Sequence, residues 1–193
     1  RFDGNSFKVY RKDLHSNNSL SENSIETLMV DKNGLLWIGL KTGGVDVYNP
    51  KKDRFIHLKD KCKVLPQRVI SIYEDSEHDI WLGSWGEGLF RLSPKNKCTM
   101  SYTVTRHYQQ NIVSSLMEKP KGKLWIGTYY GYYLYDINKK RGINLGRNDL
   151  SVTNFLNIGK DNHIFVSTWT GGLYEISWNN QLTSFAEKKL TSA

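Results

Sequence analysis

The residue types that most often carry catalysis are thinly spread in this chain. Its five histidines, His15, His57, His78, His107 and His163, fall in different turns and strands with no common spacing. No HExxH, GxSxG or phosphate-binding glycine loop occurs. Cys62 and Cys98 form no CxxC pair and occupy unrelated places, which argues against a zinc site. A disulfide between them and two free buried thiols both remain open at this level. No metal or cofactor site is expected, and the chain reads as a non-enzyme. What it does supply is flat aromatic surface. Trp85, Tyr129 and Trp169, with Lys41, stand four residues after a set of recurring anchors, and Tyr130 follows Tyr129. Such rings can stack on the apolar faces of sugars, with Glu87 as a hydrogen-bond acceptor and Lys41 as a donor. Arg68, Arg106 and Arg147 lie between the recurring units and, on charge alone, would select an acidic sugar. The competing reading is that the rings cap the elements that carry them and pack on neighbours.

Those elements follow from an internal repeat. Residues 33–50, 77–94, 121–138 and 161–178 align, with Trp37, Trp81, Trp125 and Phe165 as anchors at spacings of 44, 44 and 40 residues. Each anchor sits in a short apolar run, as in Leu36-Trp37-Ile38, that reads as a strand buried on both faces. A glycine follows two residues later in three copies (Gly39, Gly83, Gly127), and Ser167 replaces it in the fourth. Its expected role is close approach of neighbouring units or a positive φ. An apolar stretch precedes each anchor, at 25–30, 69–73, 112–117 and 152–158, across a turn-forming cluster such as Asp31-Lys-Asn-Gly34. A third strand is expected at 45–48, 89–92, 132–135 and 173–176, and a polar fourth at 54–59, 98–103, 141–145 and 182–188.

One four-stranded sheet cannot bury both of its faces, but copies stacked around an axis can. A period of 40–45 residues with four strands per unit is the signature of a β-propeller. The expected units are 24–60, 68–103, 111–145 and 151–188, with a tail at 189–193. Residues 1–23 read as the end of a preceding blade and its connection: 1–3 would finish a third strand and 7–11 would form an outer strand. The fold class is therefore all-β: an arc of about four four-stranded blades plus that outer strand, cut from a larger, seven-bladed ring. An arc leaves two apolar blade faces exposed, which invites self-association as a homodimer. The loops after the anchors open on the same end of every blade as the inter-blade connections, so the aromatic candidates would share one axial face.

The net charge is +8, with basic residues scattered through turns and no polybasic run, which reads as a solvated surface and not as a nucleic-acid site. No apolar stretch approaches the roughly 18 residues of a membrane span, so no membrane contact by this segment is expected. The chain opens inside a repeat at Arg1, without Met or signal peptide, as an excised fragment would.

The segment from Asp31 to Tyr48, with LWIGT at 124–128 and WLGSWGEGL at 81–89, resembles the two-component regulator propeller repeat, and the likeness extends over essentially the whole chain. Phe165 and Ser167 are departures from its pattern. The resemblance implies the periplasmic sensor region of a hybrid two-component histidine kinase of Bacteroidetes type. It implies sensing of glycan oligosaccharides, with the remaining blades, downstream domains and kinase outside this chain. The turn at Asp31 also looks slightly like the Asp-box of sialidase propellers, and the repeat looks distantly like the virginiamycin B lyase propeller. The alternatives to a sensor are thus a protein-interaction scaffold, or a lyase or glycosidase propeller.

Overall fold

A pleated strand turns alternate side chains to opposite faces, so residues two apart share a face and decide what packs there. The computed structural model describes residues 4–94, 102–106, 112–145, 150–157 and 162–190, of which 102–106, 143 and 144 as backbone alone. It contains four antiparallel sheets of four strands. The first blade is β1 (Ile25–Val30), β2 (Leu36–Leu40), β3 (Val45–Asn49) and β4 (Arg54–His57), and a 3-10 turn at Leu58–Asp60 follows it. The second is β5 (Val69–Glu74), β6 (Ile80–Ser84), β7 (Leu89–Pro94) and β8 (Tyr102–Arg106). The third is β9 (Val113–Glu118), β10 (Lys123–Thr128), β11 (Gly131–Asp136) and β12 (Arg141–Asn144). The fourth is β13 (Val152–Leu156), β14 (His163–Thr168), β15 (Gly172–Trp178) and β16 (Phe185–Leu190). In each sheet the strands lie in chain order, and the first strands of successive blades, β1, β5, β9 and β13, stand side by side. The sheets do not close on themselves, so this is an arc of a larger propeller.

The anchors behave as the alternation requires. Trp37, Trp81 and Trp125 are fully buried, and each centres a core shared with the next blade. Trp37 packs with Val69, Ile80 and Leu82; Trp81 with Val113, Leu124 and Ile126; Trp125 with Val152, Ile164 and Val166. Two residues on, the glycine faces the same way. A Cβ on Gly83 would stand 2.1 Å from the Ser71 Oγ and 2.5 Å from the Val113 carbonyl oxygen of the next blade. Gly39 meets the Val69 carbonyl, and Gly127 the Val152 side chain, in the same manner. Close approach is therefore the glycine's role, and φ is not left-handed at these three positions. In the fourth blade no further blade covers this face among the described residues. Phe165 is only half-buried, and the Ser167 hydroxyl bonds to that of Thr153 at 2.7 Å.

A buried indole N–H must find an acceptor. The Trp37 Nε1–H donates to Asp31 Oδ2 at 3.0 Å, and the other oxygen of Asp31 accepts from the Asn33 and Leu35 backbone N–H groups. Asp75 repeats this, taking the Trp81 indole at 2.7 Å and the N–H groups of Glu77 and Asp79. Burial pushes the Asp75 carboxyl above its ordinary range, and these hydrogen bonds pull it back toward ionisation. In the third blade Lys119 holds the place of the aspartate, and its backbone carbonyl takes the Trp125 indole at 2.6 Å. In the fourth, Phe165 has no N–H to satisfy. A second tie crosses the first two boundaries at the same end: the Lys32 N–H donates to the Glu74 carboxylate at 2.8 Å, and the Ser76 N–H to that of Glu118 at 2.6 Å.

Three sequence expectations need correction. Residues 7–11 form no outer strand beyond a single bridge at Phe7. The segment instead covers the backward face of the first blade, where Tyr10 lies against Tyr48 and Phe55 and Lys8 pairs with Asp53. Among the described residues, aromatic packing and charge hold this segment against the blade. The outer strands of the second and fourth blades lie later than expected, at β8 and β16, because polar edge strands carry no burial pattern to mark their ends. The first fourth strand stops at His57, where the 3-10 turn begins. Residues 1–3 and Cys98 lie outside the described residues, and Cys62 is buried.

Two stability outcomes follow. Trp81→Phe keeps an aromatic ring but removes part of its volume and leaves the buried Asp75 oxygen without its donor, so chemical denaturation should register a loss of about 1–3 kcal/mol. The loss should not add fully to that of Asp75→Ala, because both changes remove the same indole–carboxylate bond. Gly83→Ala should destabilise by about 1–3 kcal/mol through overpacking, while Ser167→Ala stays within about 0.5 kcal/mol. Equal effects at the two positions would contradict the assigned blade contacts.

Candidate functional site

The loop between the second and third strands of each blade starts from the same bond. The backbone N–H of Lys41 donates to Ser24, that of Trp85 to Arg68, that of Tyr129 to Ile112 and that of Trp169 to Ser151, each at the carbonyl just before the blade's first strand. The four positions are therefore structurally equivalent and stand on the end of the arc where the chain passes from blade to blade. They also connect laterally. Trp85 forms a β-bridge with Ile112, whose carbonyl holds Tyr129, and the Ser151 hydroxyl donates to the Tyr129 carbonyl at 2.8 Å. Trp85, Tyr129 and Trp169 thus form one continuous rim across the second, third and fourth blades.

The rim rings are open to solvent: Trp85 is 50% exposed, Tyr129 52%, Tyr130 59% and Trp169 80%. Tyr129 and Tyr130 meet edge to face with centroids 5.4 Å apart. This is the reverse of the anchor tryptophans four residues earlier, which are fully buried. Lys41 is exposed, and its ammonium makes no hydrogen bond or ion pair among the described residues. Glu87 accepts the Gln67 backbone N–H at 2.7 Å, so it also braces the connection between the first two blades. Arg68 is half-buried, and its guanidinium carbon lies 4.3 Å from the centre of the Trp85 ring. Its Nε donates to Glu26 on β1 at 2.9 Å. Sequence analysis does not single out Glu26, although a carboxylate inside the otherwise largely apolar stretch 25–30 is the signal that marks it. Arg106 ends β8, paired with Phe90; its side chain, like the whole of Arg147 and His107, lies outside the described residues.

One Ser–His–Asp grouping does form, away from the rim. Asp46 is fully buried at a place where the later blades carry Phe90, Tyr133 and Tyr174. It accepts the Ser21 backbone N–H at 2.7 Å and the Ser21 hydroxyl at 2.8 Å. His57 Nδ1 lies 2.8 Å from both the Ser21 Oγ and Asp46 Oδ1. A nucleophile relay needs serine and aspartate on opposite ring nitrogens. Here both share Nδ1, so the grouping fastens the entering chain to the first blade and does not activate the serine.

Comparison with known proteins agrees with this architecture. The model of the two component regulator propeller matches residues 19–41, 63–86 and 107–130, which end at or beside Lys41, Trp85 and Tyr130. The extracellular domain of the hybrid two component system BT3049 from B. thetaiotaomicron superposes with a TM-score of 0.74 at 21% identity, over 97% of this chain and 25% of that one. That of BT4673 from the same organism gives 0.63 at 21% identity, over 81% of this chain and 20% of that one. The WD40 repeats of RRP9 share the fold at 12% identity and a TM-score of 0.61, over 86% of this chain and 51% of that one. No curated protein sequence matches the chain. It spans about a quarter of the length of the BT3049 domain. No helix among the described residues is long and apolar enough to cross a membrane. The first three of the chain's four blades thus carry the two component regulator propeller repeat.

Proposed function

We propose that this chain is part of the periplasmic ligand-sensing propeller of a hybrid two-component sensor, and that its rim contributes to binding a glycan oligosaccharide. The observation that carries this reading is the split between equivalent aromatics. The first three blades each bury their anchor tryptophan completely, whereas the loops of the last three blades, four residues after the anchors, display Trp85, Tyr129 with Tyr130, and Trp169 to solvent at half exposure or more. Large rings left open on one continuous edge are what a ligand with flat, partly apolar faces requires. Lys41, at the equivalent position on the first blade, and Glu87, in the loop of Trp85, would serve its hydroxyls. Binding across an axial face would bias the placement of the propeller against the next domain or against a second sensor, which a histidine kinase outside this chain would read. The open blade faces would meet the remaining blades of the ring.

Calorimetry with a panel of neutral and acidic oligosaccharides tests this, applied to the chain and to the complete propeller that contains it. The expected result is binding by the complete propeller that weakens roughly tenfold for Trp85→Ala and for Trp169→Ala. Binding that ignores both changes would move the site off this rim. A propeller that binds no sugar would overturn the glycan reading and leave a protein or peptide as the partner.

A further inference from the structure

The reading of the rim as a sugar platform leaves Arg68 with two incompatible roles, a reader of acidic ligands or a support for Trp85. The geometry points to the second: we propose that Glu26 and Arg68 are a positioning pair that fixes the Trp85 indole as a one-sided platform, and that the ring it receives is an uncharged sugar. The platform rests on the preceding subsection's reading; the positioning does not.

Three observations converge. Arg68 is pinned across a blade boundary, because Glu26 lies on β1 of the first blade while Arg68 leads into β5 of the second. With Nε held at 2.9 Å, the guanidinium stands 4.3 Å from the indole centre and covers that face of Trp85. The side chains of Arg68 and Glu26 are only 32% and 24% exposed, while Trp85 remains 50% exposed, so the open part of the ring faces away from its support. A planar guanidinium held by a carboxylate at one edge is suited to stack on an aromatic face.

The pairing also decides ligand charge. The positive charge of Arg68 is matched by Glu26, and two further carboxylates border the same stretch of rim. Glu22 accepts the Thr42 N–H at 2.7 Å and Glu87 accepts that of Gln67 at 2.7 Å. Among the described residues, a carboxylate-bearing sugar entering over Trp85 would meet an arginine already paired and two further carboxylates, with Lys41 opposing them. A neutral ring meets no such repulsion and keeps the stacking energy.

The positioning is tested without any ligand. In the 193-residue chain, nuclear magnetic resonance should find the Arg68 side-chain protons shifted upfield by the Trp85 ring current. Glu26→Gln should abolish most of that shift and move the Trp85 indole signal, with the melting temperature nearly unchanged. Glu26→Asp should restore part of it. A ring-current shift that survives Glu26→Gln would overturn the positioning role. The ligand class is tested on the complete propeller with matched neutral and uronic acid trisaccharides. The expected outcome is tighter binding of the neutral member, weakened roughly two- to fivefold by Glu26→Gln, the size of an exposed cation–π contact. Preference for the uronic acid member, lost in Arg68→Ala, would make Arg68 the reader of an acidic ligand and overturn the charge argument. If neither sugar class binds, the platform reading fails, and the resonance experiment alone decides the positioning of Trp85.

Discussion

The arrangement depends on a buried tryptophan that must find an acceptor for its indole N–H while its ring fills the space between two blades. Asp31 and Asp75 meet that need from six residues upstream, and the same carboxylates bind the backbone of the hairpin turn that leads into the anchor strand. One side chain thereby sets the turn, the tilt of the ring and the path of the strand. Where Lys119 replaces the aspartate its carbonyl supplies the acceptor, and where the ring is phenylalanine no acceptor is required. The acceptor varies with the donor, which is the behaviour expected of a physical constraint and not of a motif kept for its own sake.

The glycine two residues later follows from the same packing. With the indole filling the inter-blade space, the strands approach so closely that Gly83 has no room for a Cβ beside the Val113 carbonyl. Ser167 occurs where no blade covers that face among the described residues, so its hydroxyl can turn to Thr153. The rim then stands where the blade contacts put it. Trp85, Tyr129 and Trp169 are held by the backbone of the inter-blade connections, so a displacement between blades would alter the spacing of the rings. That coupling is what the proposed sensing role would use.

Much of this was legible in the sequence, and the reasons are specific. The four anchors, their spacing and the two-faced burial of the strands around them could be read because buried strands are apolar throughout and their turns carry Gly, Asp and Asn. The equivalence of Lys41, Trp85, Tyr129 and Trp169 followed from the repeat alone. The outer strands β8 and β16 were misplaced because a polar edge lacks periodicity, and residues 7–11 have the composition of a strand but bridge only at Phe7 while Tyr10 packs on the blade face. The Glu26–Arg68 pair was not legible, since it joins residues 42 apart on different blades. The Ser21–His57–Asp46 grouping escaped notice for the same reason, as Ser21 lies outside the repeating unit.

The central claim is that five of the six tryptophans sort by position in the blade into bonded inter-blade anchors and open rim residues, while Trp178, buried without an acceptor for its N–H among the described residues, belongs to neither set. Hydrogen exchange of the six indole N–H groups, followed by nuclear magnetic resonance, tests it most directly. The account predicts slow exchange at Trp37, Trp81 and Trp125, whose N–H groups are buried and bonded, and fast exchange at Trp85 and Trp169. Protection of Trp85 and Trp169 equal to that of the anchors, or rapid exchange at the anchors, would contradict it.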